Sequence, residues 1–280
     1  MSSSAKHPFH MVNPSPWPAM GGFSALVLAI GAILTFHKAP VFGMNLGLWK
    51  LAPGFVLVLA TMYLWWRDVI RESVVEHAHS KETAHGLRMG MVLFISSEVM
   101  FFAAFFWAFF HNALGFSTST LQWPPAGIAV LDAWEIPFYN TVILLTSGIT
   151  VTRAHLFIEQ GNNKLGARWT FITAILGVIF LALQAYEYIH AAFHLTDGVY
   201  PSTFYFATGF HGFHVFVGTT FLFVCAFRAQ ANQFKPDKHI GFQAAAWYWH
   251  FVDVVWLFLF TFVYWILGLP VRTFANAVAQ

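Results

Sequence analysis

In a chain of 280 residues only 9% of the side chains are charged and 58% are apolar, against about 25% charged in an average soluble domain. A soluble core of this length has no room for 33 Phe and 12 Trp, so the composition excludes a water-soluble globular protein and indicates a polytopic membrane protein. A net charge of +2 without a basic, aromatic-studded patch excludes a nucleic-acid partner, and the single Cys225 excludes an internal disulfide and any cysteine-based zinc or iron–sulfur site.

Residues Met1–Pro18 form a polar lead-in broken by Pro14, Pro16 and Pro18. The first arginine is Arg67, so an Arg-rich import presequence is not expected in this form. Seven apolar segments follow, each near the roughly 20 residues that cross a bilayer as a helix. They are predicted at Trp17–Phe36, Leu51–Val69, Gly86–Asn112, Phe138–Phe157, Ala167–Ala192, Ser202–Arg228 and Gly241–Leu267. Membrane-barrel strands of roughly 10 residues do not fit runs of this length. With no repeat, low-complexity tract or soluble domain in view, residues 1–280 are expected to form a single all-α membrane domain.

Charge sets the orientation. Eleven of the 14 Lys and Arg fall on the amino-terminal side of the seven crossings, leaving Lys38, Lys50 and Arg272 opposite. The positive-inside rule then puts the amino terminus inside and the carboxyl terminus outside. The inside connection Arg67–Arg88 mixes both signs with three histidines and is expected to prolong the second helix beyond the membrane. The outside connection Ala113–Pro137 holds Trp123-Pro124-Pro125 and reads as an irregular loop.

The third segment, GLRMGMVLFISSEVMFFAAFFWAFFHN, carries a carboxylate at Glu98. At about 1.5 Å rise per residue, Glu98 lies about 18 Å into a hydrocarbon core about 30 Å thick. An acid at that depth costs about 2.5–3.5 kcal/mol unless something pairs with it, which marks Glu98 as a functional or specifically partnered group.

Trp65-Trp66-Arg67-Asp68 closes the second segment. Two Trp and an Arg at a membrane boundary make an interfacial anchor. They also suit a phospholipid headgroup: Arg67 and Arg71 share a helix face, and the guanidinium fork matches phosphate oxygens. Arg228, at the same membrane level, could join them, with Glu72 and His79 taking a headgroup amine or hydroxyl.

Acid and histidine recur at helical spacing in Glu187/His190, His211/His214 and His250/Asp253. A bundle-type di-metal centre needs the Glu-x-x-His pair twice, and within the predicted membrane segments it occurs once, in Glu187-Tyr188-Ile189-His190. His211 and His214 sit in Gly209-Phe210-His211-Gly212-Phe213-His214, which reads as close helix packing. These groups are therefore read as interhelical hydrogen-bonding groups, with no metal, haem or catalytic residue assigned. Neither a nucleophile elbow nor a phosphate loop occurs. An alternative reading is a stand-alone proton- or ion-coupled transporter using Glu98, Glu187 and Asp253; the absence of proline from the centres of the segments weighs against the broken helices of that class.

Five motifs carry a family resemblance. Asn13-Pro14-Ser15-Pro16-Trp17-Pro18, Trp65-Trp66-Arg67-Asp68-Val69-Ile70-Arg71-Glu72, Ser97-Glu98-Val99-Met100-Phe101-Phe102, Ala207-Thr208-Gly209-Phe210-His211-Gly212-Phe213-His214 and Ala246-Trp247-Tyr248-Trp249-His250-Phe251-Val252-Asp253-Val254-Val255-Trp256 together resemble cytochrome c oxidase subunit III, in order from about His7 to Leu267. The resemblance implies a core subunit of the respiratory oxidase that reduces oxygen with electrons from cytochrome c while pumping protons. It implies that this chain holds no redox centre, the haems and copper lying in partner subunits. It implies packing against subunit I, with subunit II in the same complex and accessory subunits if the source is mitochondrial. The implied fold is two helices diverging from five around a V-shaped cleft filled with structural phospholipids. The family's lipid-contacting positions map onto Trp66, Arg71, Glu72, His79, Glu98 and Arg228, and Glu98 matches its carbodiimide-reactive intramembrane glutamate. The implied location is the mitochondrial inner or bacterial cytoplasmic membrane. The segment Ser73–His85 departs from the family's usual Gly-His-His-Thr version in carrying more charges and histidines.

Overall fold

The computed structural model describes residues 14–266 apart from 42, 77, 115–122 and 126. Lys6, Asn13 of the proline motif, Leu267 and Arg272 lie outside the described residues. Among the described residues, helices joined by turns and loops make up the chain, with no strand and two isolated bridges, Val41 with Met44 and Lys235 with Lys238. Seven helices there are long and apolar enough to cross a membrane: α1 (Trp17–Phe36), α2 (Ala52–Val74), α3 (Lys81–Ala113), α4 (Ile136–Glu159), α5 (Asn163–His190), α6 (Val199–Gln230) and α7 (Ile240–Phe258). A π-helical stretch, Leu259–Ile266, continues α7.

The departures from the predicted bounds have local causes. The second helix does run on, to Val74. The third starts earlier than Gly86 because the Ser80 hydroxyl accepts the Thr83 N–H at 3.2 Å, a cap that satisfies an otherwise orphaned donor. At the start of α5 the Asn162 side chain accepts from the Leu165 N–H at 3.1 Å, which moves the start ahead of Ala167. The same helix stops at His190, short of Ala192, because Ala191 is extended (φ −62°, ψ 135°).

Residues Met1–Gly86 form one compact unit and Leu87–Gln280 a second. In the first, α1 and α2 approach through glycine: a Cβ on Gly54 would run into the Leu28 backbone, and one on Gly31 into the Lys50 carbonyl. Inside the contact, the Ser24 and Thr61 hydroxyls meet at 3.1 Å. The Trp17 indole donates to Asp68 at 2.8 Å, tying the start of α1 to the end of α2. Lys50 is buried, and its ammonium donates to the Leu34 and Ala39 carbonyls at 3.1 and 2.6 Å. It thereby places a cation at the carbonyl end of α1, where the helix dipole favours one.

In the second unit α4 packs on α5 and α7, and α6 on α5 and α7. Small residues let bulky ones in. A Cβ on Gly177 would collide with Thr219 and Trp249, and one on Gly218 with Trp249. Trp249 and Trp256 are fully buried, and their indoles donate to Ser147 at 2.8 Å and Thr141 at 2.9 Å on α4. α3 joins through aromatic side chains, with Phe101 edge-on to Phe210, Phe106 against Phe258 and Phe110 against Phe262. The expectation that Gly209 and Gly212 mark close helix packing is corrected. A Cβ on Gly212 would meet nothing within 4 Å, and one on Gly209 only the Tyr188 hydroxyl at 3.8 Å.

Gly54→Ala is expected to destabilise the α1–α2 contact by about 1–3 kcal/mol, the usual cost of forcing extra volume into a packed contact. The exposed Gly22→Ala, which meets nothing within 4 Å, should be neutral or gain up to about 1 kcal/mol of helix propensity. Thermal inactivation of the two variants in detergent compares them directly, and equal behaviour would contradict the glycine contact.

Candidate functional site

Two sets of ionisable groups stand out, one in each unit. In the first unit the end of α2 carries the predicted headgroup residues. Trp65 and Trp66 are 41% and 60% exposed, although their rings would be expected to seek cover in a soluble protein. Arg67 and Arg71 extend from the same helix, and their side chains are 60% and 68% exposed. Each has one loose ionic neighbour, Asp68 and Glu76, both at 3.4 Å; exposed pairs of this kind contribute only about 0–1 kcal/mol. Asp68 is committed to the Trp17 indole, so the motif Trp-Trp-Arg-Asp divides its labour between holding α1 and presenting arginine. Glu72 and His79 are half-buried and already engaged in interactions.

In the second unit Glu98 has a partner that the sequence did not reveal. Its Oε2 lies 2.9 Å from Nε2 of His214 on α6, with the side chains 21% and 8% exposed. Nδ1 of His214 lies 2.6 Å from the Phe210 carbonyl. A carbonyl only accepts, so Nδ1 carries a proton. The Glu98–His214 contact then holds one further proton, either on Nε2 facing a carboxylate or on Glu98 facing a neutral imidazole. Both forms are neutral as a pair, which removes most of the cost of an isolated charge in hydrocarbon. Phe102 at 4.9 Å, Tyr248 at 6.3 Å and Phe251 at 6.3 Å between ring centres wall the imidazole.

The remaining acid–histidine groups mostly form interhelical hydrogen bonds, as expected from the sequence. Glu187 on α5 accepts from the Tyr264 hydroxyl at 2.7 Å and from Gln184 at 3.2 Å. His211 donates through Nε2 to the Val252 carbonyl at 3.2 Å. His250 on α7 reaches Thr152 on α4 at 3.2 Å and Asp253 at 3.6 Å. His190 differs, turning back onto the Tyr186 carbonyl of its own helix at 2.9 Å. Sequence reading missed Tyr264, which lies in the π-helical stretch, and Lys50, whose role as a cap depends on residues well before it in the chain.

Arg228 is half-buried and largely spoken for: Nε donates to Gln233 at 3.1 Å, and the guanidinium lies 4.6 Å from the centre of the Phe234 ring. The site residues therefore fall into three arrangements: Trp66, Arg67 and Arg71 exposed on α2, Glu98 sealed against His214, and Arg228 folded onto its own connection. None of these is a nucleophile with a neighbouring base, and the arrangement offers anion binding and proton holding rather than bond-breaking chemistry.

The Glu98–His214 pair should show itself in a double-mutant cycle. His214→Phe alone leaves a lone acid and should cost about 3–5 kcal/mol, whereas adding Glu98→Leu should recover most of it. Glu98→Gln keeps a donor for Nε2 and should cost less than Glu98→Leu. Thermal unfolding of the wild type and these variants in detergent checks this, and additive losses would contradict the pairing.

The family model for cytochrome c oxidase subunit III matches residues 7–267. The chain is 52% identical over 264 residues to a protein named cytochrome c oxidase subunit 3 from Prototheca wickerhamii, covering 93% of this chain and 98% of that one. It is 50% identical to the protein of that name from Anopheles gambiae, covering 95% and 99% of the two chains. To a probable cytochrome c oxidase subunit 3 from Rickettsia bellii it is 49% identical, covering 94% and 96%.

Proposed function

Because the chain belongs to the cytochrome c oxidase subunit III family, a component of the proton-translocating terminal oxidase, we propose that its own work there is non-redox: it binds structural phospholipid, braces subunit I, and supports proton uptake and oxygen access in that neighbour. Haems and copper then reside in the partner subunits, with subunit II in the same complex and accessory subunits added where the membrane is mitochondrial. The amino terminus faces the matrix or the cytoplasm, in keeping with the lysine and arginine bias.

The observation that carries the lipid reading is the exposed cationic end of α2. Trp66, Arg67 and Arg71 extend outward at the end of an apolar helix, with Trp66 at the depth where an indole anchors in headgroups. A phosphate there replaces two weak, solvent-exposed ion pairs with charge-assisted, bidentate hydrogen bonds. Glu72 and His79 stand within the same stretch to receive an amine or hydroxyl. Glu98 and Arg228 complete the proposed lipid-contacting set, Glu98 as the neutral pair with His214 and Arg228 from its partly buried position.

The apolar exposure supports the bracing role. Phe23, Leu26, Ile33, Phe36, Val56, Leu59 and Tyr63 of the first unit are each more than half exposed. Such a surface is stable only against acyl chains or another apolar protein face.

The test is the phospholipid content of the purified oxidase. Arg71→Ala with Arg228→Ala should deplete tightly bound phospholipid, since each lost arginine–phosphate contact removes about 1.5–3 kcal/mol. Unchanged lipid content by mass spectrometry would remove the headgroup site. In the same preparations Glu98→Gln should leave electron transfer to oxygen largely intact; collapsed turnover in a normally assembled complex would instead assign Glu98 a direct chemical part.

A further inference from the structure

A separate cluster of ionisable groups lies at the junction of α4 and α7 and plays no part in the lipid reading. His155 and Glu159 occupy the last turn of α4 one helical turn apart. His239 is the residue immediately before α7. Their ligand-type atoms all lie within 4.8 Å of one another. We propose that His155, Glu159 and His239 form a binding site for a borderline divalent metal ion of the zinc type.

Four features of the geometry point to a metal rather than to a simple ion pair. First, Nε2 of His155 is buried and has no hydrogen-bond partner among the described residues. The nearest carboxylate oxygen, on Glu159, stands 3.6 Å away, too far for a hydrogen bond. It is close to the edge of a tetrahedron around zinc, roughly 3.3 Å for metal–ligand bonds of about 2.0–2.1 Å. Second, Nδ1 of His239 lies 3.1 Å from the Lys235 carbonyl. That carbonyl can only accept, so Nδ1 holds the proton and Nε2 is left with its lone pair. A backbone carbonyl that fixes the tautomer in this way is the usual outer support of a metal-bound histidine.

Third, the carbonyl end of α4 adds the negative end of a helix dipole to the carboxylate, which favours a cation there. Fourth, the third ligand is held in place without the metal. The turn before α7 is closed by backbone bonds between Lys235 and Lys238 at 3.0 and 3.3 Å. Its start is pinned by the Asn163 side chain, which donates to the Phe234 carbonyl at 2.8 Å. The His239 backbone carbonyl accepts the first N–H groups of α7, from Phe242 and Gln243. The imidazoles of His155 and His239 meet edge to face at 5.2 Å, and Phe242 flanks His155 at 5.6 Å. Glu159 is exposed, so a small rotation of its side chain closes the set.

Two histidines and one carboxylate suit zinc and its neighbours in the Irving–Williams series and suit magnesium or calcium poorly. The bound ion would join the end of α4 to the entry of α7, a staple at the membrane surface. The proposal stands or falls separately from the lipid reading.

The experiment uses the intact oxidase containing this chain, stripped with a chelator and then dialysed against micromolar radioactive zinc. The wild-type complex should retain one more zinc ion than complexes carrying His155→Gln or His239→Gln, and Glu159→Gln should weaken binding by about tenfold or more. Equal zinc in the wild-type and both histidine variants overturns the proposal. A measurement on the wild type alone covers the case of poor assembly: zinc should slow diethylpyrocarbonate labelling of His155 and His239, read by peptide mass spectrometry, and leave exposed His85 unaffected. Labelling of all three at unchanged rates overturns it too.

Discussion

The structure depends on a single constraint: within hydrocarbon, no charge and no polar hydrogen can be left to water. The Glu98–His214 contact meets it with a proton shared between two groups that together carry no charge. The Phe210 carbonyl completes the arrangement by holding the other imidazole nitrogen in its protonated form. Glu187 meets the same demand at one oxygen: Oε1 accepts two hydrogen bonds, one of them from Tyr264, while Oε2 is buried without a partner among the described residues. Lys50 meets it by placing its ammonium on the Leu34 carbonyl near the end of α1 and on the Ala39 carbonyl just beyond it. In each case the ionisable group is anchored to a backbone carbonyl or to another helix, so the polar contacts also fix how helices pair.

The two units solve the packing problem differently. α1 and α2 meet backbone to backbone, with Gly31 and Gly54 at the contact and one hydroxyl pair inside it. Hydrophobic burial does not drive helices together in lipid, so close approach and hydrogen bonds must do so. The second unit uses small residues on α5 and α6 to admit Trp249, whose indole then bonds to α4. α3 shares neither device. It is attached by interlocking phenylalanines, which fill volume while leaving room for Glu98 to reach across to α6.

Much of this was legible beforehand. Apolar runs of about 20 residues gave all seven helices, because length and composition alone identify a crossing helix. The depth of Glu98 announced a partner. The partner itself was hidden: His214 belongs to a helix distant in sequence, and facing directions follow from tertiary packing. The glycines of the His211–His214 stretch misled for the same reason, since composition shows where helices are able to approach, not where they do. The π-helical turn that carries Tyr264 has no compositional mark such as a proline. The caps at Ser80 and Asn162 lie ahead of the long apolar runs that set the predicted boundaries, so those boundaries fell inward of the helix starts.

That apportionment of polar groups bears on how a membrane subunit of an oxidase holds its shape. A scaffold must hold its shape while one face contacts acyl chains and another contacts a protein, and both contacts are apolar. Shape therefore has to be specified from within, by the few hydrogen bonds that cannot be exchanged for water. The interior of the second unit supplies such bonds from α4 to α7 through Ser147, Thr141 and Thr152. The first unit supplies fewer and exposes more apolar surface, so its geometry must lean on whatever it contacts. The arginines at the end of α2 are among its exposed groups. A phosphate held there would order the exposed helix pair from outside, as hydroxyls and indoles order the larger bundle from inside.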